Sequence, residues 1–178
     1  MNKKKVIVVG AGAAGLMAAG QVAERGAEVI VLEKMQRPAL KLRITGKGRC
    51  NLTNIAPLPE FIERFDRNGR FLHQAFSRFF SSDLVTFVES LGVATVEERG
   101  GRVFPASSKA EEVVDALLRW ATESGAEIRC NSCVTGIMAQ DRAVTGIQFT
   151  QKGARSKEAG QTDGAKTERA DAIIITTG

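Results

Sequence analysis

The chain has 178 residues, of which 43% are hydrophobic and 25% charged, and its formal net charge is +5. That balance belongs to a soluble globular protein with one good core and room for a small appended subdomain. Three cysteines, Cys50, Cys130 and Cys133, do not make a disulfide framework, and no segment reaches the roughly 18 apolar residues a membrane span needs.

Met1-Asn2-Lys3-Lys4-Lys5 and the apolar stretch behind it imitate a signal peptide. Leu16, Met17, Ala19, Val22 and Ala23 instead recur at helical spacing, and the chain runs straight on into Glu24-Arg25-Gly26. The segment reads as folded structure, and the protein is expected in the cytoplasm. Val6 to Val9 is an apolar run bounded by glycine, the pattern of a buried parallel strand. Gly10-Ala11-Gly12-Ala13-Ala14-Gly15 follows at once, ahead of a helix over about 12–25. Gly26 stops that helix, and a second run, Val29 to Leu32, ends on Glu33.

GxGxxG between strand and helix is a dinucleotide-binding turn. Gly10 permits the tight turn, Gly12 lets backbone approach a pyrophosphate, and Gly15 lets helix and strand pack closely. The pyrophosphate then lies on the helix N-terminus, against the amides of Ala13 and Ala14. Glu33 closes the second strand, where a carboxylate accepts from a ribose diol, with Lys34 beside it. Residues 1–50 carry ten Lys/Arg against three Glu, a surplus of +7; residues 51–178 carry fifteen against seventeen, or −2. An anionic cofactor explains that uneven spread more economically than nucleic acid does. RNA stays a minority reading, because no aromatic surface alternates with these basic residues.

Further along, Phe71–Phe80 and Asp83–Leu91 read as two short helices, the second capped by Ser81 or Ser82. Thr95 to Pro105 reads as two short strands around Glu97-Glu98-Arg99-Gly100-Gly101-Arg102. A helix over about 109–124 buries Val113, Val114, Leu117, Leu118 and Ala121. Gly92 and Gly125 repeat the helix-to-strand junction seen at Gly26. Cys130-Asn131-Ser132-Cys133 lacks two further soft ligands for zinc, and His73 is the chain's one histidine. No metal site is expected. Val134–Ala139 and Ala143–Thr150 form an antiparallel pair, 151–167 a polar loop or frayed hairpin tip, and Ala170–Thr176 a last buried strand. The whole is an α/β, Rossmann-like fold in three layers, its parallel sheet interrupted by a β-meander over about 133–171.

Strand, GxGxxG, helix and Glu33 together resemble the FAD-binding domain of the glutathione-reductase-like flavoproteins. The run Lys41-Leu42-Arg43-Ile44-Thr45-Gly46-Lys47-Gly48-Arg49-Cys50-Asn51-Leu52-Thr53-Asn54 narrows this to the BaiN-type (YhiN-like) FAD-dependent oxidoreductases. Gly101–Pro105 and Ala172–Gly178 fit the same family; Lys47 and Thr176 depart from it. The resemblance implies an oxidoreductase that moves hydride between FAD and a small organic substrate, with NAD(P)H as a candidate electron donor. It implies cofactor contacts at Gly10, Gly12, Ala13, Ala14, Gly15, Glu33, Lys34, Lys41, Leu42, Gly46, Gly48, Arg49, Cys50, Asn51, Thr177 and Gly178, and a backbone contact from Val134 to adenine. Physically, Gly46 and Gly48 let backbone fold over a ligand, Lys41, Arg43 and Arg49 can pair with phosphates, and Asn51, Thr53 and Asn54 offer polar groups. Cys50 has no second cysteine nearby for a dithiol relay. Family members continue beyond the last strand, so the chain reads as an N-terminal fragment, an incomplete domain prone to self-association. A nucleotide-binding module without turnover and an RNA-directed flavoenzyme remain the alternatives.

Overall fold

A computed structural model describes residues 3–151 and 164–177. In chain order the elements are β1 (Lys5–Val9), α1 (Ala13–Glu24), β2 (Glu28–Leu32), α2 (Leu40–Gly48), β3 (Thr53–Asn54), α3 (Leu58–Glu63), α4 (Gly69–Phe76), α5 (Ser81–Ser90), β4 (Thr95–Glu98) and β5 (Arg102–Pro105), followed by α6 (Ala110–Glu123), β6 (Ala126–Arg129), β7 (Ser132–Gln140), β8 (Ala143–Gln151), β9 (Lys166–Arg169) and β10 (Ala172–Ile175). They group into two compact units, one of residues 1–40 with 117–178 and one of residues 41–116.

In the first unit, β1 lies between β10 and β2, and β6 pairs with β2, so the order β10-β1-β2-β6 is parallel throughout. Parallel strands covered on both faces select branched apolar residues, which is why β1 and β2 read Val-Ile-Val-Val and Val-Ile-Val-Leu. Successive side chains alternate between the faces. Ile7, Val9, Ile30 and Leu32 meet Ile147, Phe149 and Ala170 of the meander side in one buried cluster. Each such buried aliphatic side chain contributes about 1.5–3 kcal/mol. Gly15, Leu16, Ala19, Gly20 and Ala23 are the buried residues of α1. A Cβ on Gly20 would sit 2.3 Å from the Trp120 ring, so the small residue there makes room for the indole. Helices, parallel sheet and meander thus form the three layers the sequence implies.

The meander is β7-β8-β9, all antiparallel. Asp141 and Arg142 both have positive φ, 50° and 64°, a two-residue turn whose twist suits a hairpin. The expected loop over 151–167 needs correction at both ends: Gln151 finishes β8, and Lys166–Arg169 is the third meander strand. Its sequence, Lys-Thr-Glu-Arg, has no apolar residue to betray a strand; Glu168 is held by ion pairs with Lys5 and Arg129, and Lys166 donates to Gln151. Residues 152–163 of that expected loop lie outside the described residues. The last parallel strand is Ala172–Ile175, shorter than expected and not the buried strand expected: it is the sheet's edge, with Ala172 and Ile175 exposed and Ile173 and Ile174 half-buried.

The second unit holds α3, α4 and α5 and a small antiparallel sheet, β3-β5-β4. The expected turn between β4 and β5 is present, with Gly100 and Gly101 at φ 80° and 72°. The helix expected at 71–80 starts earlier, at Gly69, and stops at Phe76. Ser81 is not a cap. Asp83 Oδ2 accepts the Phe80 amide at 2.8 Å and closes the start of α5, while the Ser81 hydroxyl donates to Asn54 O at 2.6 Å. The short α3 and β3 have no clear periodicity in the sequence. Among the described residues no helix is long and apolar enough to cross a membrane.

Candidate functional site

Gly10 opens the turn after β1 at φ +102°, a conformation L side chains rarely adopt, and its amide donates to Leu32 O at 2.8 Å. A Cβ on Gly15 would lie 1.9 Å from the Gly10 carbonyl oxygen, so only glycine fits where α1 crosses β1. Around Gly12 the reverse holds: a Cβ would meet nothing within 4 Å. That glycine opens space instead of filling it. Gly12 N-caps α1 with no side-chain cap and no acid in the first turn. The first intrahelical bond runs from Leu16 N to Gly12 O at 2.9 Å. The amides of Ala13, Ala14 and Gly15 precede it, at a positive helix end that faces open space.

The turn is tied down on two sides through Ala11. Its carbonyl accepts the Ala39 amide at 2.8 Å, and its amide donates to Glu33 Oε2 at 2.8 Å. Glu33 Oε1 accepts the Met35 amide, also at 2.8 Å. Glu33 is 9% exposed and continues the β2–β6 ladder, its own amide donating to Arg129 O at 2.9 Å. A carboxylate has about four lone-pair sites, and these two bonds occupy half of them. The remainder are available to a hydroxyl pair.

Sequence reading missed Thr176. Its backbone amide donates to Val9 O at 3.0 Å, and its hydroxyl lies 2.9 Å from both Val9 O and Gly10 O. This side chain therefore pins the carbonyl on which Gly15 packs. A polar residue closing an otherwise apolar strand was the signal. Thr177 beside it is exposed, Gly178 lies outside the described residues, and Lys34 is exposed. Val134 is half-buried against the core cluster, with its backbone opposite Phe149 in β7–β8. Cys130 follows β6, and burial, then the Glu33 charge, pushes its thiol pKa up; Cys133 is exposed. No group of three or more metal-ligating side chains is found among the described residues.

In the second unit the Lys41–Asn54 run forms a helix and then a knot of left-handed backbone. Thr45 leaves helical geometry, and Gly46, Lys47, Gly48 and Cys50 have φ of 56°, 59°, 85° and 61°. Cys50 is fully buried, its amide donates to Thr45 O at 3.0 Å, and burial pushes its thiol pKa up. The loop's arginines are engaged within the unit. Arg49 pairs with Glu98 at 2.7 Å and stacks 4.1 Å from the Phe104 ring centroid, and Arg43 pairs with Glu111. Asn54 likewise works internally, donating to Gly100 O at 2.7 Å and accepting the Ala56 amide at 2.8 Å. Thr53 bonds Ser81 at 2.8 Å. Lys41, Lys47 and Asn51 are exposed, and Leu42 is half-buried.

Comparison with known proteins agrees with this architecture. The model of the HI0933-like protein Rossmann domain matches residues 4–178. Over 145 residues the chain is 28% identical to a ribosomal RNA dihydrouridine synthase of Escherichia coli (strain K12), covering 82% of this chain and 36% of that protein. Over 115 residues it is 33% identical to a 3-dehydro-bile acid delta(4,6)-reductase of Clostridium scindens, covering 64% and 27%. The chain thus spans about a third of these relatives. A flavocytochrome c3 fumarate reductase shares the fold at TM-score 0.70 and 23% identity, over 98% of this chain and 33% of that one.

Proposed function

The chain belongs to the HI0933-like Rossmann family, and on that premise we propose that it is the nucleotide-binding part of an FAD-dependent oxidoreductase. The observation that carries this is the uncapped N-terminus of α1 beside the open space at Gly12, with Glu33 next to it. The amides of Ala13, Ala14 and Gly15 hold the cofactor's pyrophosphate, and the spare lone pairs of Glu33 accept its adenosine ribose hydroxyls. A 2′-phosphate would meet the Glu33 carboxylate, so this pocket disfavours NADP. Val134 offers backbone to the adenine. Bound flavin supplies hydride transfer; NAD(P)H is proposed as its reductant. The cytoplasmic location is likewise proposed, supported by three free cysteines.

The substrate class follows from what two relatives' names share. Saturating a uridine and reducing a delta(4,6) bile acid both add hydrogen across a carbon–carbon double bond conjugated to a carbonyl. A small cyclic enone is the first reading, and a uracil ring within RNA is the second, favoured by the dihydrouridine synthase relative. The experiment is an absorbance titration of the purified chain with FAD, then anaerobic reduction by NADH or NADPH and reoxidation by a cyclic enone or a uridine-containing RNA. Flavin binding with reoxidation by either acceptor supports the proposal. Flavin binding without reoxidation leaves a binding module only, and no flavin binding overturns the cofactor.

A further inference from the structure

From Arg64 to Phe79 the chain carries Arg64, Arg67, Arg70 and Arg78 against one acid, Asp66. All four arginines are exposed, and among the described residues none of them is in an ion pair. Arg43, Arg49 and Arg129, by contrast, each meet a glutamate. Amid the four stands Phe71 on α4, 88% exposed. Leaving such a ring in water forgoes about 1.5–3 kcal/mol of burial.

The helix that displays Phe71 is held firmly from behind. Phe76 meets Phe61 and Phe80 edge-on at 5.4 and 5.6 Å between ring centroids. A Cβ on Gly69 would lie 2.3 Å from Ile62 O, so α4 starts in direct contact with α3. Gln74 follows Phe71 by three residues, the spacing of one helical face, and Arg67 lies in the 3-10 turn Asp66–Asn68 that leads into α4. Arg70 adjoins the ring in sequence, and Arg78 lies just beyond the helix end.

We propose that this face binds single-stranded RNA, its arginines meeting phosphates and Phe71 stacking on an unpaired base. Guanidinium groups without acidic partners complement a polyanion, and their planar forks match phosphate oxygens. A ring this open on a helix packed from behind is a stacking platform, which a duplex with its bases already stacked cannot use. A lipid surface would need a continuous apolar face, whereas Phe71 is flanked by Arg70, His73 and Gln74, Leu72 and Phe76 are half-buried, and Phe65 and Phe79 are only 41% and 43% exposed. The inference rests on the second substrate reading above and places its recognition outside the glycine turn.

The test is fluorescence anisotropy of the 178-residue chain with a labelled uridine-rich single strand, its duplex, and phosphatidylserine vesicles, across a salt series. The triple variant Arg67→Gln/Arg70→Gln/Arg78→Gln is expected to bind the single strand at least about tenfold more weakly. Its log K against log salt slope should fall by about two, at about 0.7 per phosphate contact. Phe71→Ser should weaken binding roughly tenfold with the slope unchanged. All these side chains are exposed, so both variants keep the fold, and FAD titration of each should match the parent. A parent without salt-dependent RNA binding, variants that bind as the parent does, or losses confined to vesicles would overturn the proposal. Failure of flavin binding with the RNA losses intact would sink the cofactor reading and leave this one standing.

Discussion

The Glu33 carboxylate accepts the Ala11 amide at 2.8 Å, so the residue that ends β2 also braces the turn that follows β1. Two strands that never share a hairpin are joined through one side chain, and a nucleotide approaching the turn meets that carboxylate in place. Glu33 therefore supports the turn even before any ribose is bound.

Glu33→Ala should consequently lower both stability and FAD affinity. Removing the carboxylate leaves the Ala11 and Met35 amides without their acceptor, at a cost of about 1–3 kcal/mol. Loss of the ribose contacts should add about tenfold in FAD dissociation constant. Glu33→Gln keeps one acceptor oxygen and should fall between parent and alanine variant in melting temperature. An alanine variant with the parent's melting temperature and flavin affinity would remove Glu33 from both roles.

Gly12 and Gly15 should separate ligand approach from folding. In Gly15→Ala the new Cβ would collide with the Gly10 carbonyl at 1.9 Å, pushing α1 from β1 and costing about 1–3 kcal/mol or more. Gly12 has φ −80° and open space around it, so Gly12→Ala should melt like the parent while its methyl group intrudes where phosphate must come. Thermal melting and FAD titration read the two effects apart. Equal destabilisation in both variants would show that Gly12 serves packing alone.

The parts legible in the sequence were those where one local rule acts alone. GxGxxG, the branched runs of β1 and β2 and the glycine junctions at 26, 92 and 125 each record a backbone demand that few residues meet. What stayed hidden depends on distant partners. Arg49 reads as a phosphate ligand until Glu98 and Phe104 appear beside it. Thr176 reads only as a departure from the family's pattern until its hydroxyl reaches Gly10 O, 166 positions away in sequence. β9 reads as loop because its residues are held by charge: Glu168 meets Lys5 of β1 and Arg129 of β6.

That last network carries a pH signature. Lys5 Nζ lies 2.7 Å from Glu168 and 2.9 Å from Glu28, and Arg129 reaches Glu168 at 3.0 Å and Glu127 at 2.7 Å. The bond from Lys5, opposed by burial and aided by Arg129, holds the Glu168 carboxyl below its ordinary 4.5. The Arg129 bond, opposed by partial burial, does the same for Glu127. A carboxylate depressed on folding contributes stability that is full above the ordinary value and is lost as pH falls through the folded one. Lys5 is raised above 10.5, chiefly by Glu168 and then Glu28, so its share is full below 10.5 and lost only at more alkaline pH. Melting temperature should therefore be flat through neutral pH, fall below about pH 4.5 and fall again above about 10.5. Glu168→Gln removes the leading partner of Lys5 and one of the two acid-sensitive groups. With Lys5 and Glu168 about one-quarter exposed, the variant should lose on the order of 1 kcal/mol at neutral pH. Its acid decline should also be shallower than the parent's when both are melted from pH 2.5 to 8. Parallel acid limbs in the two proteins would show that the clamp on β9 is not electrostatic.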